Sequence, residues 1–426
     1  MILKVFRSSL IQSAGIYTVT SVINAAIPFL LMPILTRYMT PSDYGIVAMF
    51  AVLISFVSPF TGLSIHGAVA RQYYERDNIH MPTYITNCLL ILLVSSTLTA
   101  IIFYILSAPI SKISSYPASW LWVVMAVSIA SFVNSIVLVL WQVQVKPYAY
   151  GRFRIAHTIL DVGISVLLVV GLGMAWQGRI QGQLIAALVF ACIGLLVLKK
   201  NEWIKYRFNK EYIKNALHFG LPLIPHALGA VIMTMTDRFF ITNMVGLNAT
   251  GLYSVGYQVG MVIGLIENSF NQAYVPWLFE RLKRNDDKEK RKIVKITYFY
   301  FFLIVILAAA LSLIAPWFLS FFVGKTFAGA KVFVLWIAMG FAFSGMYKMV
   351  VNYIFYVEKT YILAWVTFFC AFLNILFNYI FIKMNGAVGA AQACTLTNII
   401  FFILTWILAS RVYKMPWLLS WARCNT

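Results

Sequence analysis

Acidic residues are scarce in this chain, 13 Asp and Glu against 33 Lys and Arg, and charged residues of both signs make up only 11% of it. Soluble domains carry about 25% charge and about 45–50% apolar residues. A chain that is 62% hydrophobic, with a mean hydropathy of +0.84, is therefore excluded from water-soluble folds. The net charge of +20 does not mark a nucleic-acid partner, because the basic residues lie between apolar runs and do not gather on one arm or patch. The five cysteines, Cys88, Cys192, Cys370, Cys394 and Cys424, are odd in number and show no C-x-x-C spacing, which argues against a disulfide framework or a zinc site. Also missing are a phosphate-binding G-x-x-x-x-G-K-[ST], a G-x-S-x-G elbow and an H-E-x-x-H pair. No hydrophilic stretch is long enough for a separate soluble catalytic domain. Neither catalytic residues nor a cofactor or metal is expected.

What the chain has in abundance is apolar runs. Runs of about twenty residues recur along its whole length, enough to cross a hydrocarbon core of about 30 Å. They predict spans near residues 11–37, 43–68, 84–107, 119–142, 154–174, 180–198, 216–243, 250–278, 293–314, 331–355, 359–382 and 387–410. The reading is an all-α integral membrane protein of about twelve transmembrane helices. The start, with Lys4 and Arg7, resembles a signal-peptide n-region, but the apolar stretch continues to Met39 without a small-residue cleavage site and reads as a retained first helix. Pro316 to Lys331, aromatic and glycine-containing, is read as a re-entrant or interfacial segment. Pro28 and Pro33 are expected to interrupt span 1, and Pro222 and Pro225 span 7.

Lys and Arg concentrate in alternate connections: Arg71 and Arg76 after span 2, Lys146, Arg152 and Arg154 before span 5, Lys199 to Lys214 between spans 6 and 7, and Arg281 to Lys295 between spans 8 and 9. The intervening connections hold isolated cations such as Arg37, Lys112, Arg179 and Lys383. Short cytoplasmic loops hold the excess of positive charge, so both termini are expected in the cytoplasm. A weak repeat at a period of about 206 residues overlays Thr36–Gly45 on Thr242–Gly251, Gly182 on Gly389 and the Lys146 turn on Lys359. It divides the chain into two six-span halves of like orientation, residues 1–205 and 206–426, an arrangement common among transporters.

An ionised side chain at mid-bilayer costs at least about 2.5–3.5 kcal/mol, so intramembrane charges are candidates for function. Span 5 carries Arg154, His157, Asp161 and Ser165 on one helical face, either a cavity-lining proton or ligand site with Asp161 or His157 titrating, or a self-neutralising His–Asp pair. In span 7, Asp237 and Arg238 point about 100° apart; they line a path, or else snorkel to headgroups. Span 8 places Glu267 beside Asn268 and Asn271, after Gly260 and Gly264 on a face suited to close packing. Span 10 sets Ser344, Lys348 and Asn352 on one face, and span 11 does the same with Asn374 and Asn378. Candidate ion-coupling residues are thus Glu267, Asp161, Asp237 and His157, and candidate cations for an anionic substrate are Arg154, Arg238 and Lys348. The Arg281–Lys295 run reads as a solvated amphipathic loop near anionic lipid.

The segments Leu35–Gly45, Phe219–Pro225, Thr236–Ile241 and Gly251–Ser254 resemble those of the polysaccharide-export flippases, which include the O-antigen repeat-unit translocases of the multidrug/oligosaccharidyl-lipid/polysaccharide superfamily. The resemblance implies a MATE-like, V-shaped bundle in the bacterial inner membrane. By alternating access it would pass an undecaprenyl-diphosphate-linked oligosaccharide through a cationic, water-filled lumen, from the cytoplasmic to the periplasmic leaflet. The expected partners are that lipid-linked oligosaccharide, membrane lipids, and a polysaccharide polymerase with its chain-length regulator. Two rival readings stand beside it: a multidrug cation antiporter of the same superfamily, and a membrane polymerase or glycosyltransferase.

Overall fold

The computed structural model describes residues 9–284, 286–357, 359 and 361–417. Among the described residues it is almost entirely α-helical, without strands. The first part comprises α1 (Ser9–Tyr38), α2 (Pro41–Val57), α3 (His66–Tyr73), α4 (Met81–Ile105), α5 (Ser107–Ser114), α6 (Leu121–Val143), α7 (Pro147–Val166, continued by a wider turn over Leu167–Gly171), α8 (Ala175–Lys200) and α9 (Lys210–Gly220). There follow α10 (Leu223–Met244), α11 (Leu247–Arg284), α12 (Asp287–Phe322), α13 (Lys331–Tyr356), α14 (Tyr361–Asn385) and α15 (Ala387–Val412). Eleven of the described helical stretches are long and apolar enough to cross a bilayer.

The predicted second span departs from that pattern. It reads from the sequence as one helix over 43–68, whereas α2 ends at Val57 after 17 residues, about 25 Å of rise and short of the hydrocarbon thickness. The chain then turns sharply, with Gly62 (φ 77°), Leu63 (φ 51°) and Ser64 (φ 56°) all left-handed. Such a run is costly for residues bearing a Cβ. It is held by a hydrogen bond from the Gly62 N–H to Ser95 Oγ of α4 (3.0 Å) and by the Phe132 ring of α6, whose Cε2 lies 2.3 Å from where a Gly62 Cβ would sit. The start of α2 is firmly set. Thr40 accepts from the Asp43 N–H at 3.1 Å while the Thr40 N–H donates back to the Asp43 carboxylate at 2.9 Å, a reciprocal cap with Pro41 at the first helical position.

The prolines act differently from expectation in one helix and as expected in the other. The backbone of α1 stays helical through Pro28 and Pro33, whereas Pro222 lies in the two-residue break between α9 and α10 and Pro225 in the first turn of α10. Pro316 does not end its helix either: α12 runs on to Phe322, and a short 3-10 turn, Lys325–Ala330, leads directly into α13. The stretch from Pro316 to Lys331 therefore adds no separate re-entrant element.

The chain forms two compact units, one up to Met235 and one from Thr236 onward. The first centres on α2, α4, α6 and α8, where Phe50, Tyr84, Ile85, Val123, Ile136 and Ile180 are buried together. The second is built on α11, α12, α13 and α15 around Leu278, Ile293, Ile304, Ala338, Val350 and Ile354. One close seam joins α11 to α13. Gly256, Gly260 and Gly264 recur every four residues and so share one face of α11. A Cβ on them would come within 2.9 Å of Phe333, 2.6 Å of Ile337 and 2.7 Å of Phe341 respectively. Bulky residues of α13 thus fill the places that side chains on α11 would take, the small-against-large packing by which helices associate in lipid. Gly260→Leu should lower the thermal stability of the detergent-solubilised protein by about 1–3 kcal/mol, as overpacking does. An unchanged melting temperature would mean that α11 and α13 are not in close contact.

Candidate functional site

Beyond Gly264 the α11–α13 seam turns polar. Glu267, Asn268 and Asn271 continue the face of α11, while Ser344, Lys348 and Asn352 recur at intervals of four on α13. The Glu267 side chain is only 2% exposed and that of Lys348 23%. The Lys348 ammonium donates to Glu267 Oε1 at 3.1 Å and to Asn268 Oδ1 at 2.5 Å, and the Ser344 hydroxyl donates to the same Glu267 oxygen at 3.2 Å. Asn352 donates to Asn271 Oδ1 at 3.1 Å and to the Lys348 carbonyl at 2.7 Å. Gly345 makes room for the carboxylate, since a Cβ there would stand 3.0 Å from Glu267 Oε2 and 2.7 Å from the Tyr300 hydroxyl. Oε2 itself is buried without a hydrogen-bond partner. The carboxylate is therefore compensated on one oxygen only, by a lysine that retains access to the outside. An ammonium so placed can transfer its attention to an anion that enters, at the expense of its bond to Glu267.

A second cluster joins α10, α11 and α14. Asp237, 1% exposed, accepts from the Tyr253 hydroxyl at 2.6 Å and from Asn378 Nδ2 at 2.9 Å; Asn378 also donates to the carbonyl of Asn374 at 2.9 Å. The neighbouring Arg238 lies elsewhere, its guanidinium 4.3 Å from the Tyr257 ring centroid and 5.8 Å from that of Tyr253. The divergence expected from helical geometry is present, and both residues are buried instead of snorkelling. A guanidinium over aromatic faces is attracted by the ring quadrupoles.

In the other unit, Asp161 of α7 does not pair with His157. Its partner is Arg179 in the first turns of α8, at 2.5 Å, with a second contact from the same guanidinium at 3.3 Å. Arg179 also donates to Ser165 Oγ at 2.7 Å. The sequence pattern assigns Arg179 to a connection, whereas it is a buried residue of α8. His157 packs edge-on against Phe190 at 5.2 Å, and Arg154 donates to the Tyr150 hydroxyl at 2.9 Å. Of the seven candidates, the structure brings Glu267 and Lys348 into direct contact. Arg179, Tyr253 and Tyr257 are the additions that sequence reading missed. Only Arg179 carries a signal that would have found it: a lone cation with no other charge near it, two positions after Gln177, at the mouth of an apolar run.

Lys348→Met leaves the carboxylate buried without a counterion and should destabilise the protein more than the pair Glu267→Gln/Lys348→Met does. Thermal unfolding of the two single variants and the double should give a coupling of about 0.5–3 kcal/mol. Additive single effects would show that the two side chains do not interact.

A family model described as polysaccharide biosynthesis protein matches residues 10–282, and a MatE model matches residues 222–380. An uncharacterized membrane protein of Haemophilus influenzae is 26% identical over 361 residues, 83% of this chain and 85% of its own. The capsular polysaccharide biosynthesis protein CapF of Staphylococcus aureus is 21% identical over 93% of this chain and 98% of its own. Among solved structures, the lipid II flippase MurJ in an inward closed conformation aligns with a TM-score of 0.74 at 15% identity, over 93% of this chain and 87% of that one. An inward-facing MATE-family multidrug transporter aligns with a TM-score of 0.64, also at 15% identity, over 91% and 94%. At such identities the solved structures establish the fold, which is that of the MATE and MurJ bundles. The polysaccharide biosynthesis model spans well over half of the chain, and so this multi-pass membrane protein, consistent with the bacterial inner membrane, belongs to the polysaccharide biosynthesis protein family.

Proposed function

We propose that the chain translocates a lipid-linked oligosaccharide, an undecaprenyl-diphosphate-linked O-antigen or similar polysaccharide repeat unit, from the cytoplasmic to the periplasmic leaflet by alternating access. The observation that carries this reading is Lys348, a cation within a membrane-crossing helix whose ammonium is only partly committed to Glu267 and Asn268. A diphosphate and a hydrated sugar cannot enter hydrocarbon unaided, because each unsatisfied polar group costs several kcal/mol there. Lys348, Arg238 and Arg154 are the cations assigned to compensate the diphosphate. The two six-span halves, 1–205 and 206–426, and cytoplasmic termini belong to the same reading, supported by the repeat and by the alternation of Lys and Arg. Ion coupling is assigned to Glu267, Asp237, Asp161 and His157. A polysaccharide polymerase and its chain-length regulator are the downstream partners.

The match of residues 222–380 to the MatE model favours a second reading, a multidrug exporter of organic cations, for which Asp237 and Glu267 would be the binding acids. Deletion of the gene separates the two. The flippase reading expects lipid-linked repeat units to accumulate on the cytoplasmic leaflet and surface polysaccharide to vanish, with drug susceptibility unchanged. Complementation with Lys348→Met should restore polysaccharide at least about tenfold less well than the wild type, the loss expected when one charge-assisted contact of about 1.5–3 kcal/mol is removed. Sensitivity to organic cations with intact polysaccharide would favour the exporter. Glu267→Gln, Asp237→Asn and Asp161→Asn, each assayed with proton and sodium gradients collapsed in turn, test the coupling; transport unaffected in every case would remove it.

A further inference from the structure

The connection between α8 and α9 is irregular, yet its backbone is pinned. The Lys205 N–H donates to Thr86 Oγ1 at 2.9 Å. The Asn87 carboxamide then serves the segment twice, donating to the Arg207 carbonyl at 2.9 Å and accepting from the Asn209 N–H at 3.1 Å, as a neighbouring strand would. Asn209 goes on to cap α9, accepting from the Glu211 N–H at 2.9 Å, and Tyr84 fixes α9 through Asn215 at 3.0 Å. Trp203 and Ile204 turn inward against the core of this unit. The next four residues do the opposite: Lys205, Tyr206, Arg207 and Phe208 are all exposed, Tyr206 at 91% and Phe208 at 68%. Folding thus fixes the backbone and leaves two aromatic and two basic side chains unused.

The depth of this display follows from α4. Its 25 residues rise about 37 Å, more than the hydrocarbon thickness of about 30 Å. That excess falls at its polar start, where His80, Thr83, Thr86 and Asn87 precede the apolar run from Cys88, so these first turns lie at the edge of the hydrocarbon, and the segment bonded to them lies at the same level. The surroundings are basic. Between residues 199 and 214 stand Lys199, Lys200, Lys205, Arg207, Lys210 and Lys214 against Glu202 and Glu211.

We propose that Lys205–Phe208 is a docking surface for anionic phospholipid. Lys205 and Arg207 pair with phosphate-bearing headgroups, and Tyr206 and Phe208 insert their rings at the boundary with the acyl chains. Lipid is favoured over a protein partner because the segment sits at bilayer level beside the ends of two membrane-crossing helices, where a soluble protein would first have to displace lipid. The surface holds the connection between α8 and α9 at a fixed depth. It is independent of the cargo.

The test uses the full-length protein in detergent, titrated with phosphatidylglycerol or, as control, phosphatidylcholine, with thermal unfolding as readout. Phosphatidylglycerol should raise the melting temperature of the wild type and of Lys112→Gln/Lys383→Gln, a control at exposed cations outside the basic runs. Lys205→Gln/Arg207→Gln should lose about half or more of that rise, as expected for two cations each contributing roughly tenfold or less to lipid affinity. Its melting temperature without lipid should be unchanged, because the pinning bonds are made by backbone atoms of those residues. Tyr206→Ser/Phe208→Ser should also bind less lipid while keeping the salt dependence of the remaining response. A full phosphatidylglycerol response in Lys205→Gln/Arg207→Gln, or an equal response to phosphatidylcholine, would overturn the proposal. So would a photoprobe on Tyr206→Cys that crosslinks, in native membranes, to protein and not to lipid.

Discussion

Hydrocarbon supplies no hydrogen bonds, so Glu267 can lie buried in a membrane helix only because α13 brings Ser344 and Lys348 to within bonding distance of it. That approach depends on what precedes it along the seam. Gly256, Gly260 and Gly264 let Phe333, Ile337 and Phe341 enter where side chains would otherwise hold the helices apart, and Gly345 leaves space for the carboxylate itself. Small residues therefore determine where charge can be placed. Breaking a buried pair by removing one partner leaves an uncompensated ion, which is why such arrangements are costly to maintain without a use.

The same constraint shapes the other charged groups within the bundle. Asp237 is met by a tyrosine hydroxyl and a carboxamide, Arg238 by two aromatic faces, and Asp161 by Arg179. These solutions differ in how much charge they leave unspent. Asp161 and Arg179 neutralise each other with both carboxylate oxygens engaged, which suits a bond between α7 and α8. Lys348 is partly accessible and shares its ammonium between a carboxylate and a neutral amide, which suits exchange with an incoming anion. The accessible, incompletely satisfied pair is the better place to look for transport chemistry.

Much of the fold is legible in the sequence because membrane helices announce themselves by length and hydropathy: each predicted span overlaps a helix, the seventh with a break at Leu221–Pro222, and eleven described stretches can cross a bilayer. The exception is instructive: residues 58–65 are apolar enough to read as helix, and the left-handed turn at Gly62 is dictated by the Phe132 ring and Ser95, both contributed by distant parts of the chain. Pro28 and Pro33 mislead in the opposite sense, since the backbone of α1 remains helical through both. At the candidate site, helical spacing groups Ser344 with Lys348 and Asn352, as periodicity assigns residues to faces. It could not say which face meets which. The pairing of Asp161 with Arg179 in place of His157, and the aromatic setting of Arg238, are tertiary facts with no local signature.

The central claim is that this bundle carries an anionic, lipid-linked sugar across the membrane by means of charge held within its helices. Its most direct test reconstitutes the purified protein into vesicles carrying a polyprenyl-diphosphate oligosaccharide in one leaflet, and follows the exposure of the sugar to a membrane-impermeant glycosidase in the other. The account predicts that exposure proceeds with the wild-type protein and falls toward the protein-free rate with Lys348→Met. Exposure no faster than in protein-free vesicles, or equally fast with Lys348→Met, would contradict it.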